Sequence, residues 1–94
     1  MSDKLKQQFL NLITEIEQTE DLDDILDLLL TPKEYQEIAN RVEIFKKLDE
    51  GETQRDISDE LEVSIATVTR GSREMQNKPY KTQKLLDLLE EIET

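Results

Sequence analysis

The stretch from Thr53 to Ser72, TQRDISDELEVSIATVTRGS, constrains this chain more than any other part. It reads as two short helices joined by a tight turn. Thr53 is placed to cap the first helix, with Asp56 three positions on as a capping-box partner. Ile57 and Leu61 fall one turn apart on one face. Val63 sits where the turn buries it. Ser64 is placed to cap the second helix, whose inward face is then Ile65 and Val68. Ser58 is small where the helices must approach closely. A helix-turn-helix of this kind, over about residues 53–72, holds its second helix out so that its first turns enter the major groove of DNA.

Hydrophobic spacing alone fits any short helical hairpin. The second helix adds chemistry. Ala66, Thr67 and Thr69 offer small and hydroxyl groups, followed by Arg70 and Arg73. Such groups contact phosphates, base edges and thymine methyls, and arginine neutralises phosphate. Two positions depart from the general pattern. The turn position that favours glycine for its left-handed backbone holds Glu62, so either Glu62 bears that conformation or the turn differs. Gly71 stands where another apolar residue is expected, at a cost of about 1 kcal/mol in helix propensity. It marks either a helix end or a close approach of the backbone to a ligand.

Ninety-four residues suit one domain, taken as 1–94, with a core that is marginal for a chain standing alone. Oligomerisation is a common remedy. Cysteine is absent, which excludes disulfides and thiolate zinc sites. No apolar run approaches a membrane span and no signal peptide is evident, so a soluble, cytoplasmic protein is expected.

The net charge of −11 argues at first against DNA binding, but the charge is unevenly spread. Residues 1–30 carry two bases against eight acids. Residues 63–84 instead carry Arg70, Arg73, Lys78, Lys81 and Lys84 against Glu74 alone. This basic segment begins at the expected recognition helix. It is either a cluster of solvated lysines or a basic face that guides docking on an acidic body.

The rest reads helical, with no alternating strand pattern. Leu5, Phe9, Leu12, Ile13 and Ile16 form a stripe on a first helix. Thr19 to Asp24 is a polar break capping a second, whose leucines face more than one way and favour a dimer core. Thr31-Pro32-Lys33-Glu34 is a capping-box start for a long third helix, with Ile38, Val42, Phe45 and Leu48 inward and Gly51 as its left-handed stop. Asn77 to Pro79 breaks the chain before a last amphipathic helix. On the third helix, Arg41 is either a surface arginine with a packed stem or a group that binds anions or aromatic rings.

The segment from Leu28 to Ser72 resembles the bacterial tryptophan repressor family. It shares LTP with RV ten residues on, then GE, QR, EL, IAT and TRGS in that order. The resemblance covers most of the chain. It implies an all-α, six-helix intertwined homodimer with helix-turn-helix reading heads on successive major grooves of a palindromic operator. These repressors are themselves a standard example of that docking. The resemblance also implies L-tryptophan as a corepressor. Its indole would lie between Arg41 and Arg70, with Gly71 allowing close approach, Thr67 lining the pocket, and carbonyls of Leu28, Leu30 and Thr31 receiving the ammonium. Gln54, Arg55, Ile65, Ala66 and Thr69 would face the operator, with Arg73 beside them. Three departures from the family pattern bear on the effector and the DNA face. The link from Gly51 to Gln54 is one residue shorter, Glu74 stands where the pocket has a serine, and Ser58 replaces a lysine that touches DNA. Glu74 either clamps the ligand ammonium or repels its carboxylate.

The expected function is a sequence-specific transcriptional repressor. The alternatives are a DNA-binding relative with a different effector or none, and a helical dimerisation module that does not bind DNA. No His or Cys is present, nor a glycine-rich phosphate loop, so no enzyme, metal or cofactor is expected.

Overall fold

A computed structural model describes residues 3–93, and these form six helices: α1 (Asp3–Glu15), α2 (Thr19–Leu29), α3 (Pro32–Asp49), α4 (Gln54–Leu61), α5 (Ile65–Asn77) and α6 (Pro79–Glu93). No strand occurs among the described residues. The chain divides into two compact units, Met1–Gln36 and Glu37–Thr94, with the boundary inside α3.

In the first unit, α2 begins earlier than the sequence pattern suggests. The polar segment from Thr19 is its first turn, not a break before it, and Gln18 precedes it without a side-chain cap. Glu20 and Asp21 suit that position, because carboxylates near a helix N-terminus oppose its positive dipole end. The start of α3 is the expected capping box. The Thr31 hydroxyl accepts from the Glu34 N–H at 3.1 Å, and the Glu34 carboxylate accepts from the Thr31 N–H at 2.9 Å. The Tyr35 hydroxyl donates to Asp23 at 2.8 Å, tying α3 to α2, and that bond raises the Tyr35 pKa. The apolar stripe of α1 is only partly covered: Leu5, Phe9 and Leu12 are exposed, as are Leu28 and Leu29 on α2, whereas Ile13 is half-buried and Ile16 falls just past the end of the helix.

The second unit holds the buried core. Ile44 of α3, Ile57 of α4 and Val68 of α5 are buried, with Leu48, Leu61 and Val63 packed against them. This corrects two inward faces read from periodicity. Ile44, not Ile38, is the central residue of α3, and Ile38 is exposed. Apolar residues occur on more than one side of α3, so spacing alone does not select the side that meets α4 and α5. Ile65 is also exposed, because the first residue of α5 projects beyond the packed face that begins at Val68.

The connections are closely specified. After α3, the Gly51 N–H bonds to the Leu48 carbonyl and the Glu52 N–H to the Lys47 carbonyl, both at 3.1 Å. With φ of +90° at Gly51, these two bonds make a Schellman stop. Thr53 then accepts from the Asp56 N–H and Ser64 from the Thr67 N–H, each at 3.1 Å, so both hairpin caps form where the sequence places them. Glu62 adopts the left-handed conformation at φ 56° and ψ 44°. The tight turn therefore forms without glycine. Ser58 helps hold it. Its side chain is buried, and its hydroxyl donates to the Val63 carbonyl at 2.5 Å.

Candidate functional site

On α3, Glu37, Asn40, Arg41, Ile44 and Phe45 recur at helical spacing and so share one face. On α5, Thr67, Arg70, Gly71 and Glu74 do the same, with the cap residue Lys78 next in the series. These faces, with Val63 and Ser64 of the turn and Lys81, Thr82 and Leu85 of α6, line a cleft of about 650 Å³. That volume falls within the range of about 300–1,000 Å³ usual for small-molecule sites.

Gly71 sets how closely two of the walls approach. It lies in the interior of α5 and is buried, so the helix-end interpretation is corrected. A Cβ at this position would stand 2.9 Å from Ile44 Cγ2 and 3.7 Å from Phe45 Cε1. The missing side chain is therefore explained by helix packing as well as by the cleft that Gly71 lines.

The cleft holds four cations, Arg41, Arg70, Lys78 and Lys81, against two carboxylates, Glu37 and Glu74. It is a locally positive site on a chain of net charge −11. Glu74 pairs with Lys78 at 3.2 Å, with both side chains substantially exposed. An exposed i,i+4 pair of this kind contributes only about 0.3–0.5 kcal/mol. Among the described residues, no hydrogen bond or ion pair within the chain engages the side chain of Arg41, Arg70, Lys81 or Glu37. The floor is apolar, from Ile44, Phe45, Val63 and Leu85. Such a site can hold a flat or branched apolar body carrying a charged head.

Five of the eight residues expected at a ligand are brought together here: Arg41, Thr67, Arg70, Gly71 and Glu74. Leu28, Leu30 and Thr31 belong to the first unit. The Thr31 carbonyl there already accepts from the Tyr35 N–H at 2.9 Å. Of the six residues expected at DNA, Arg55, Ile65, Ala66 and Arg73 are exposed. Gln54 and Thr69 are half-buried and joined to each other, the Thr69 hydroxyl donating to the Gln54 side-chain oxygen at 2.6 Å. That bond spans α4 and α5. None of the six lines the cleft. Ser58, which stands where the family has a lysine that touches DNA, is buried between the helices and bonded within the turn.

Sequence reasoning missed a cluster that fixes α4 to α3. Lys47, with its side chain 18% exposed, pairs with Glu60 at 2.9 Å, Glu52 at 3.3 Å and Glu43 at 3.8 Å. Its hydrogen bond to Glu60 holds the ammonium above the ordinary lysine range, against partial burial, and Glu52 adds to the effect. The same bond holds the Glu60 carboxyl below its ordinary pKa. The signal available in the sequence was only the i,i+4 spacing of Glu43 and Lys47. Reasoning also missed the α6 wall and the α3 residues Glu37, Asn40 and Phe45. The spacing of those three around Arg41 could have revealed them.

A model of the family described as Trp repressor protein matches residues 4–90. The Trp operon repressor homolog of Vibrio cholerae is 42% identical over 73 residues, covering 77% of this chain and 71% of that protein. The homolog of Vibrio parahaemolyticus is 40% identical over 88 residues, covering 92% and 85%. That of Chlamydia trachomatis is 39% identical over 71 residues, covering 74% and 76%. These likenesses, on an all-helical fold, define a regulatory protein of the repressor type. The chain belongs to the Trp repressor family.

Proposed function

We propose that this chain is a homodimeric, DNA-binding transcriptional repressor that takes L-tryptophan as corepressor in the cleft between α3, α5 and α6. The observation that carries the proposal is the double role of α5. Thr67, Arg70, Gly71 and Glu74 face the cleft, while Ile65, Ala66 and Arg73 are exposed elsewhere on the same helix. An occupant of the cleft bears directly on α5. The α4–α5 pair then acts as a helix-turn-helix, and the set of α5 decides whether two such units fit one helical turn of DNA. Arg41 and Arg70 supply guanidinium planes for the indole and charge for the carboxylate. The names of the relatives, which refer to the Trp operon, support the choice of ligand.

A second copy of the chain is supported by what the helices leave uncovered. Leu5 of α1 is 66% exposed, and Leu28 of α2 and Ile92 of α6 are each 79% exposed. Only three apolar side chains are buried among the described residues, each contributing about 1.5–3 kcal/mol. A homodimer would cover the remaining faces.

The ligand part is tested with L-tryptophan at fixed concentration titrated with protein, followed by fluorescence anisotropy. The chain contains no Trp, so red-edge excitation reports the ligand rather than the two tyrosines. The expected result is a saturable rise that disappears in Arg41→Ala and Arg70→Ala. A flat titration to millimolar protein refutes tryptophan control. Glu74 in the cleft wall favours one second reading, a repressor of the same build that answers to another charged effector.

A further inference from the structure

We propose that Lys81 of α6 reads the anionic head of the effector, which makes α6 part of the effector site and requires an effector with a carboxylate or equivalent anion. The inference deepens the proposed function and rests on its use of the cleft.

Lys81 reaches the cleft through local chain geometry. Pro79 starts α6 directly after the Lys78 cap of α5, so the first turn of α6 lies beside the end of α5. The first turn is fastened there. The Thr82 N–H and hydroxyl both bond to the Lys78 carbonyl, at 3.0 and 2.8 Å. Lys81 and Thr82 then line the cleft, and Leu85 extends the apolar floor one turn on.

Lys81 is exposed, and three further observations together point its charge to a bound anion. Among the described residues its ammonium has no ion-pair or hydrogen-bond partner, whereas that of Lys78 is paired with Glu74. It stands in the first turn of a helix with no acid in that turn, where a cation adds to the positive end of the dipole and works against helix stability. Arg41 and Arg70 line the same cleft without partners, so its unpaired charge is mostly positive. A cationic ligand meets three unpaired cations there against the single unpaired carboxylate of Glu37. An apolar body with a carboxylate meets complementary charge and an apolar floor.

The test uses the full chain and three indole compounds: L-tryptophan with both charges, indole-3-propionate with the carboxylate alone, and tryptamine with the ammonium alone. Lys81→Met removes the charge and Lys81→Arg keeps it. Lys84→Met is the control, since Lys84 sits 5.6 Å from the Tyr80 ring centre on the same helix and does not line the cleft. The wild-type chain is expected to bind indole-3-propionate more tightly than tryptamine. Lys81→Met should weaken the carboxylate compounds on the order of five- to tenfold and leave tryptamine unchanged. Lys81→Arg and Lys84→Met should stay near wild type. Equal losses in Lys81→Met and Lys84→Met overturn the proposal, as does tryptamine binding as tightly as indole-3-propionate. If L-tryptophan fails to bind while indole-3-propionate binds in a Lys81-dependent way, tryptophan control falls and the role of Lys81 stands. L-tryptophan binding untouched by Lys81→Met has the reverse meaning. Binding of none of the three overturns both.

Discussion

Gly71→Ala sets two opposed effects against each other at one position. Alanine in a helix interior is favoured over glycine by about 1 kcal/mol. Its Cβ, however, would stand 2.9 Å from Ile44 Cγ2, inside ordinary contact distance. Ile44 is 1% exposed and packed with Ile57 and Val68, so it has little room to withdraw. Overpacking of a filled site costs about 1–3 kcal/mol. The net expectation is a destabilisation of about 1 kcal/mol, with overpacking outweighing propensity. A double-mutant cycle isolates the cause. Ile44→Leu removes the β-branch methyl that the new Cβ meets and costs less than about 1.5 kcal/mol alone. The double variant should therefore lose less than the two single losses combined, by about 1 kcal/mol. Urea unfolding followed by circular dichroism at one fixed protein concentration measures this, because the proposed dimer would make apparent stability concentration-dependent. A Gly71→Ala variant stabilised by the full propensity gain, or strict additivity with Ile44→Leu, refutes the packing argument.

Glu62→Gly should stabilise the chain by about 0.5–1 kcal/mol in the same assay, because the strain of a left-handed Glu exceeds the added chain entropy of Gly; a loss of stability contradicts the turn as described. Ser58→Ala should cost about 1 kcal/mol through loss of the bond to the Val63 carbonyl, and an unchanged midpoint counts against that bond. Lys47→Met should flatten the pH dependence of stability at both ends. Glu60, held below its ordinary value of 4.5, contributes stability that is present above that pH and is lost as pH falls through its lowered pKa. Lys47, held above its ordinary 10.5, contributes stability that is present below that pH and is lost as pH rises. Parallel acid and alkaline unfolding profiles for variant and wild type would exclude the coupling.

Local rules were legible where the interacting groups are close in sequence. The capping box at Thr31 and Glu34, the stop at Gly51 and the caps at Thr53 and Ser64 each involve groups within a few residues, and each formed as expected. The choice of buried face on α3 was not legible, because Ile38, Val42, Ile44 and Phe45 offer more apolar positions than one neighbour can cover. Only the docking of α4 and α5 selects Ile44. The reason for Gly71 was half legible. Sequence marked it as a site of close approach, but the packing against Ile44 and Phe45 arises only when α5 docks on α3.

The candidate site divides in the same way. Arg41, Thr67, Arg70, Gly71 and Glu74 were singled out from residue chemistry and family resemblance, and they line one cleft. Lys81 was marked only as part of the basic segment, and Thr82 and Leu85 not at all, since nothing in Asn77 to Pro79 tells which way the chain turns into α6. The Lys47 cluster escaped because Glu52 and Glu60 reach it from outside α3, beyond the helical spacing rules.

The central claim is that occupancy of the cleft sets α5 for DNA. Selection of duplex DNA from a random pool, followed by titration of the selected duplex with and without L-tryptophan at several salt concentrations, tests it most directly. The expected result is a two-fold symmetric site bound more tightly with tryptophan, an affinity that falls steeply with salt, and loss of the tryptophan effect in Arg70→Ala. Affinity for the selected duplex that is indifferent to tryptophan, or no salt-sensitive DNA binding at all, contradicts it.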